Sequence, residues 1–328
     1  MAEVKRHVVS ADEDGMRLDR WFKVHFPQVT FAYLNKLTRT GQVRVGAGRC
    51  KTNSRLTQGQ EIRVPPLAFD TRPADAPKAD VKPLSKEERR FFDSMILHED
   101  KDIYVLNKPS GFAVQGGTKT HHHLDGLLMG LGAEKGERPL LVHRLDRDTS
   151  GVIVIAKRRA VASALGKLFA TRNVKKTYWA VVKGVPHPMQ GRIDVALVKA
   201  KGDDGDRMRA SREGEEEDEQ RAVTQYAVLD HAAKIAAWMS LRPQTGRQHQ
   251  LRAHMDHLGT PILGDNKYNG DRNLPDGVEN QLHLHARRLV FPHPRGGTVD
   301  VTAPLPEHML HTFDLFGFDA KRFDRDDD

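Results

Sequence analysis

Leu141-Val-His-Arg-Leu-Asp-Arg-Asp-Thr-Ser-Gly151 is a polar stretch between two apolar ones, Pro139-Leu-Leu-Val142 and Val152-Ile-Val-Ile-Ala156. Both flanks read as short buried strands, and Thr149-Ser-Gly151 supplies loop chemistry between them. Two carboxylates, Asp146 and Asp148, thus stand among His143, Arg144 and Arg147 on a turn at the end of a sheet. Cations within about 4–6 Å lower a carboxyl pKa by about 1 to 3 pH units, which keeps it ionised and able to act as a nucleophile. The residues alone leave two readings open: a reactive carboxylate, or a strand connection with solvated charges.

The chain around this stretch is long enough for two domains, at 328 residues. Its net charge of +8 points to a polyanionic partner, although a mildly basic enzyme of small anions would look similar. A single cysteine, Cys50, excludes an internal disulfide framework and fits a reducing compartment. The first residues, Met-Ala-Glu-Val-Lys-Arg-His, carry no apolar signal region, and no window approaches the ~18 apolar residues of a membrane helix. A soluble, cytoplasmic protein without membrane attachment is the expectation.

Residues 1–10 read as a short strand or arm. Met16, Leu18, Trp21, Phe22 and Phe26 fall at helical spacing until Pro27, and Phe31, Leu34 and Leu37 repeat the pattern until Gly41. Extended runs follow at 42–45 and toward Ile62-Arg-Val64, separated at first by a Gly46-Ala-Gly48 turn. Lys36, Arg39, Arg44, Arg49, Lys51 and Arg55 gather on the second helix and first hairpin of this unit. Pro65, Pro66, Pro73, Pro77 and Pro83 among charged residues describe an extended linker. The expected division is a module at 1–66, a linker at 67–90 and a second domain at 91–328.

In the second domain Ile103-Tyr-Val-Leu106 is a strand leading into Asn107-Lys-Pro-Ser-Gly111, a Pro-Gly turn. The adjacent His121, His122 and His123 lack zinc-type spacing. Residues 160–170 are an amphipathic helix, and 174–182 a strand on which Tyr178 shares a face with Ala180 and Val182, directed into a site or into the core. Residues 201–221, nearly free of apolar side chains, read as a solvated, mobile loop. A hairpin at 223–229 and 235–241 precedes Pro243-Gln-Thr-Gly-Arg247, a turn feeding a helix, whose start at Gly246, Arg247 and His249 favours anions. Near the end, Gln281-Leu-His-Leu-His-Ala286 sets Leu282 and Leu284 on one face and His283 and His285 on the other.

Five of these motifs, in order, resemble the RluA-type pseudouridine synthases, a family of RNA-modifying enzymes. They are Asn107-Lys-Pro-Ser-Gly111, His143-Arg-Leu-Asp-Arg-Asp-Thr-Ser-Gly151, Lys175-Lys-Thr-Tyr-Trp-Ala180, Thr245-Gly-Arg-Gln-His-Gln-Leu-Arg252, and Leu282-His-Leu-His-Ala286 with its Phe-Pro-His-Pro. Together they span roughly 95–305. Residues 16–65 resemble the small RNA-binding module named for ribosomal protein S-four, which many members carry. Asn107 to Gly117 and the start Lys51-Thr-Asn-Ser-Arg-Leu lean toward the subgroup that modifies large-subunit (23S) ribosomal RNA.

The resemblance implies an α+β fold, with a long, mostly antiparallel mixed sheet flanked by helices and a small N-terminal α+β module. It implies Asp146 as nucleophile, with Tyr178 stacking on the uracil and removing the final proton from carbon five. Arg247 is the implied basic partner of Asp146. Arg144 would enter the RNA as the target base leaves the stack, His143 would face the substrate beside it, and Leu282 or Leu284 would pack beneath the base. No metal or organic cofactor is implied, nor an obligate protein partner; the partner is ribosomal RNA and the protein a monomer. The six cations of the N-terminal module would hold RNA phosphates. The acidic run near 213–220 departs from the short turn of close relatives. Two competing readings are a catalytically silent RNA-binding or ribosome-assembly protein of the same fold, and a metal-dependent phosphoesterase built on the histidines and aspartates.

Overall fold

A computed structural model describes residues 4–67, 82–116, 122–171, 173–200, 207–211, 219–268 and 273–323. It divides into two units, Met1–Asp80 and Val81–Asp328. In the first, β1 (Lys5–Val8), α1 (Leu18–His25), α2 (Phe31–Arg39), β2 (Arg44–Val45), β3 (Gly48–Arg49) and β4 (Glu61–Val64) follow in order. The helical spacing finds its partners here: Leu18, Trp21, Phe22, Leu34 and Leu37 form one core with Ile62 and Val64. The four strands pair in the order β1-β4-β2-β3.

The second unit begins inside the segment expected to be linker. Ser85 and Glu88 form a capping box, each side chain accepting the other's backbone N–H, and start α3 (Lys86–Ser94). Phe92 then enters the core. Proline content upstream hid a helix whose apolar face is only two phenylalanines wide. Most of the expected linker, 68–81, lies outside the described residues.

From there the chain adds β5 (Ile96–Glu99), β6 (Ile103–Lys108), α4 (Leu124–Lys135), β7 (Leu140–Leu141), β8 (Ser150–Ala156), α5 (Arg159–Phe169), β9 (Lys175–Lys183) and β10 (Gln190–Asp194). It ends with β11 (Leu197–Lys199), β12 (Met208–Ala210), β13 (Val223–Ala232), β14 (Ala236–Pro243), α6 (Gln250–His257), β15 (Leu284–Pro292), β16 (Thr298–Thr302) and α7 (Glu307–Phe316). Ten strands make one sheet, in the order β10-β13-β14-β9-β15-β8-β6-β5, with β16 on β15 and β7 on β8. Among the described residues, only the β15–β8 pairing in it is parallel. The fold is thus mixed α+β with a large mixed sheet flanked by helices.

Alternation along the strands sorts the core by face. Tyr104, Leu106, Ile153, Ile155 and Ala286 pack under α3 and α4, and Ala180, Met239, Leu241 and Leu284 under α6. On the opposite face Val105, Val152 and Val154 meet α5, while Trp179 and Trp238 meet α7. Tyr178 packs against both clusters of the first face, so it lies at the seam between the α3–α4 layer and α6. Gly151 seats the signature loop beside this seam. It has φ +107°, and a Cβ there would lie 2.2 Å from the Ala286 carbonyl oxygen, so only glycine allows β8 this close to β15.

The run 201–221 is not wholly loop. Met208 is buried and β12 pairs with β11, though 201–206 and 212–218 lie outside the described residues. One large apolar residue, Met208, among so many charges gives no period to read. No helix among the described residues is long and apolar enough to cross a membrane.

Candidate active site

The loop between β7 and β8 carries the signature, and its backbone is tied down from below. Lys108, at the end of β6 and fully buried, donates to the carbonyls of Pro109, Phe112 and Arg147 at 2.8 Å each. Ser110 donates to the Asp148 carbonyl at 2.8 Å, and Thr149 N–H to that of Asp146 at 3.2 Å. Burial pushes the Lys108 ammonium down to about 7, against the opposing pull of Asp148 and Asp146. Its three acceptors use all three N–H bonds of the charged form. Read in sequence as part of a Pro-Gly turn, Lys108 is the post on which this loop stands. Lys108→Met leaves three carbonyls without a donor and should cost about 3 kcal/mol of stability. Chemical denaturation would measure it, and a loss below about 1 kcal/mol would mean that the loop holds itself.

Asp146 is held toward the seam, its side chain 20% exposed, with Arg252 Nη1 at 3.9 Å from Oδ2. Arg252 belongs to α6, and its own side chain is buried. Nε and Nη2 donate to the two Asp265 oxygens at 2.7 Å each, and the guanidinium lies over the Tyr268 ring at 5.2 Å. Asp265 also accepts the N–H groups of Lys267 and Tyr268. The Tyr268 hydroxyl accepts the Met208 N–H at 2.8 Å and meets His249 Nδ1 at 3.1 Å. A fork-to-fork pair with its carboxylate fully buried fixes the plane of the guanidinium, leaving Nη1 directed at Asp146.

Arg247, the partner that the resemblance implied, is not the one in contact. It precedes α6, and its Nε donates to the Arg221 carbonyl at 3.0 Å; it makes no ion pair among the described residues. Sequence offered two arginines five residues apart, and the phase of α6 turns Arg252 inward instead. The α6 N-terminus is also less open to anions than the turn implied. Gln250 Oε1 already accepts the Arg247 N–H and the Thr245 hydroxyl, and His249 caps the helix at φ +50°.

Tyr178 lies where the alternation put it, with Ala180 and Val182. Burial, with Asp146 second, raises its phenol above the ordinary range, so the hydroxyl keeps its proton. Leu282 and Leu284 are buried in the cluster against which Tyr178 packs. Arg144 is exposed and makes no hydrogen bond or ion pair among the described residues.

His143 is engaged within the fold. Its Nε2 accepts the Val154 N–H at 3.0 Å, its ring stacks on Phe169 at 4.5 Å, and burial, helped by Lys176, pushes it down to about 3. A neutral imidazole between a strand and a helix is cheaper to bury than a charge. His283 and His285 are likewise internal. His283 bonds Thr312 and His285 bonds Ser150, each at 2.8 Å.

Of the three adjacent histidines, His121 lies outside the described residues, His122 packs on Phe91 and Phe112, and His123 caps α4 through Nδ1. Asp100, Asp102 and His293 do approach one another, but Arg158 and Arg295 occupy the Asp102 carboxylate.

Residues 102–257 match the family model for RNA pseudouridylate synthase. The chain belongs to that family, in its RluA-type branch, and is an isomerase acting on RNA. "Ribosomal large subunit pseudouridine synthase C" of Escherichia coli (strain K12) is 36% identical over 315 residues, covering 93% of this chain and 94% of that protein. The protein of the same name from Haemophilus influenzae is 34% identical over 318 residues, 94% of each. Among solved structures, human RNA pseudouridylate synthase domain containing 4 superposes with a TM-score of 0.59 at 34% identity, over 70% of this chain and 97% of its own.

Proposed function

We propose that the protein isomerises specific uridines of large-subunit (23S) ribosomal RNA to pseudouridine, in the cytoplasm and as a monomer. The observation that carries this reading is the meeting of Asp146, Arg252 and Tyr178 at one seam, in a chain so similar to synthases of that RNA over nearly its whole length. Asp146 supplies the carboxylate, either attacking the ribose anomeric carbon or removing the proton beside it to give a glycal. Arg252 orients that carboxylate. The freed uracil turns between Tyr178 and the floor of Leu282 and Leu284, and its carbon five joins the sugar. While Asp146 is anionic it helps keep Tyr178 protonated. After carbon five has joined the sugar the carboxylate is free again, and the Tyr178 hydroxyl takes the carbon-five proton while passing its own toward Asp146. Arg144 stands unengaged beside the site and would fill the stack as the target base flips out.

The first unit supports RNA binding with more charge than the helix and hairpin alone supply. Lys36, Arg39, Arg44, Arg49, Lys51 and Arg55 are all exposed. Strand register adds Arg6 and Arg63, for Arg6, Arg63, Arg44 and Arg49 stand opposite one another across β1-β4-β2-β3. Like charges in register destabilise a sheet unless anions answer them; Glu61 pairs with Arg6 at 2.9 Å, and an RNA backbone would serve the others.

Carbodiimide-based mapping of pseudouridine in total RNA, with and without the gene, tests the assignment. One or a few large-subunit sites are expected to vanish with the gene. Identical large-subunit profiles would sink it.

A further inference from the structure

β9 and β14 stay paired only as far as Tyr178 opposite Leu241. Beyond that rung they part: Lys175 to Thr177 of β9 remain with β15, whereas Arg242 and Pro243 of β14 remain with β13. The fork opens a cavity of about 640 Å³, starting one residue from Tyr178. This volume is in the range that holds small organic ligands, about 300–1,000 Å³. Phe169, Val174, Pro243 and Val290 give it an apolar lining, and Lys175, Lys176, Arg242, Arg247 and Arg288 bring cations to it, Lys175 with its side chain exposed. Among the described residues no carboxylate lines it.

Most of these cations are engaged elsewhere. Arg288 is paired with Asp300, and Arg247 holds the Arg221 carbonyl. Lys176 differs. It is half-buried, its Nζ lies 5.8 Å from the Phe169 ring centre, and it makes no hydrogen bond or ion pair among the described residues. Burial lowers its pKa with no anion to oppose the effect. A cation drawn partly out of water, with no described carboxylate lining its cavity, gains most from an anionic ligand. Flat apolar walls beside it suit a nucleobase or sugar.

We propose that this fork is a nucleotide subsite, which takes the RNA residue next to the flipped uridine, with Lys176 on its phosphate and Phe169 and Pro243 against its apolar surfaces. The inference rests on the functional reading above, which puts the target base at Tyr178. Tyr178 is at the apex of the fork but does not line the cavity, whose Phe169 and Val174 wall belongs to the α5 side of the sheet, so the neighbouring RNA residue would enter through the opening between the strands.

The test measures binding by fluorescence anisotropy on a short large-subunit rRNA fragment bound by the wild-type protein. Single neutral methylphosphonates replace the phosphates around the target uridine, one per RNA. Lys176→Met should bind about tenfold more weakly, and its log–log salt slope should fall by about 0.7. Lys176→Arg should recover most of the loss. One linkage beside the target should cost the wild type about tenfold when neutralised and cost Lys176→Met almost nothing, because the two changes remove one contact. Additive losses at every linkage, or an unchanged salt slope, would overturn the subsite. Conversion of the unmodified RNA is followed in parallel. Its absence in the wild type would count against the functional reading, while the linkage pattern, read from binding alone, still decides the subsite.

Discussion

Asp146→Asn is expected to give a folded protein that binds RNA and makes no pseudouridine, with turnover reduced at least about 10⁴-fold, as when a catalytic nucleophile is removed. Asparagine has nearly the shape of aspartate but no nucleophilic oxygen, and both proposed routes need the carboxylate. Little stability should go with it. Asp146 is 3.9 Å from Arg252, its side chain is partly exposed, and Arg252 keeps its two bonds to Asp265. Pairs of this kind contribute about 1 kcal/mol or less. Tritium release from carbon-five-labelled uridine reports turnover, and a thermal melt reports the fold. Release within tenfold of the wild-type rate would move the chemistry to another residue, and a collapsed melt would make the loss uninformative about chemistry.

What could be read from the residues divides by the range of the interaction. β8, β9, the β13–β14 hairpin and the helices at 18–25, 31–39 and 159–169 follow from apolar period and from Pro or Gly stops, which act within one element. The places of Asp146 and Tyr178 could be read because the motif and the alternation each fix a side chain locally. Arg252 was not. Choosing it over Arg247 requires the phase of α6 against the sheet and the position of Asp265, which no local pattern supplies. Lys108 escaped for a similar reason, since its acceptors include the carbonyl of Arg147, far along the chain. A histidine in a polar motif looks available, and the partners that engage His143, Phe169 and the Val154 N–H, belong to other elements. Arg6 and Arg63 join the cationic row only once strand register is known.

The same distinction yields the second large effect, a contrast between two arginines of one motif. Arg252→Ala removes the partner of a carboxylate that is fully buried, and losing one member of a buried pair costs about 3–5 kcal/mol. Part of any loss of activity would then reflect unfolding, so Arg252→Lys is the sharper variant. It keeps the charge but cannot hold Asp265 with two parallel bonds while reaching Asp146 with a third nitrogen. Its kcat should fall about 10²- to 10³-fold, the scale for losing one preorganised charged donor, in protein that still melts cooperatively. Arg247→Ala removes a side chain that touches neither Asp146 nor Asp265, so its effect should fall on RNA affinity and stay well short of the Arg252→Lys loss in kcat. Steady-state kinetics of the two variants on one rRNA fragment would compare them. If Arg247→Ala lost kcat as deeply as Arg252→Lys, Arg247 would have to swing to Asp146 when RNA binds, and the pairing of Asp146 with Arg252 would describe only the free protein.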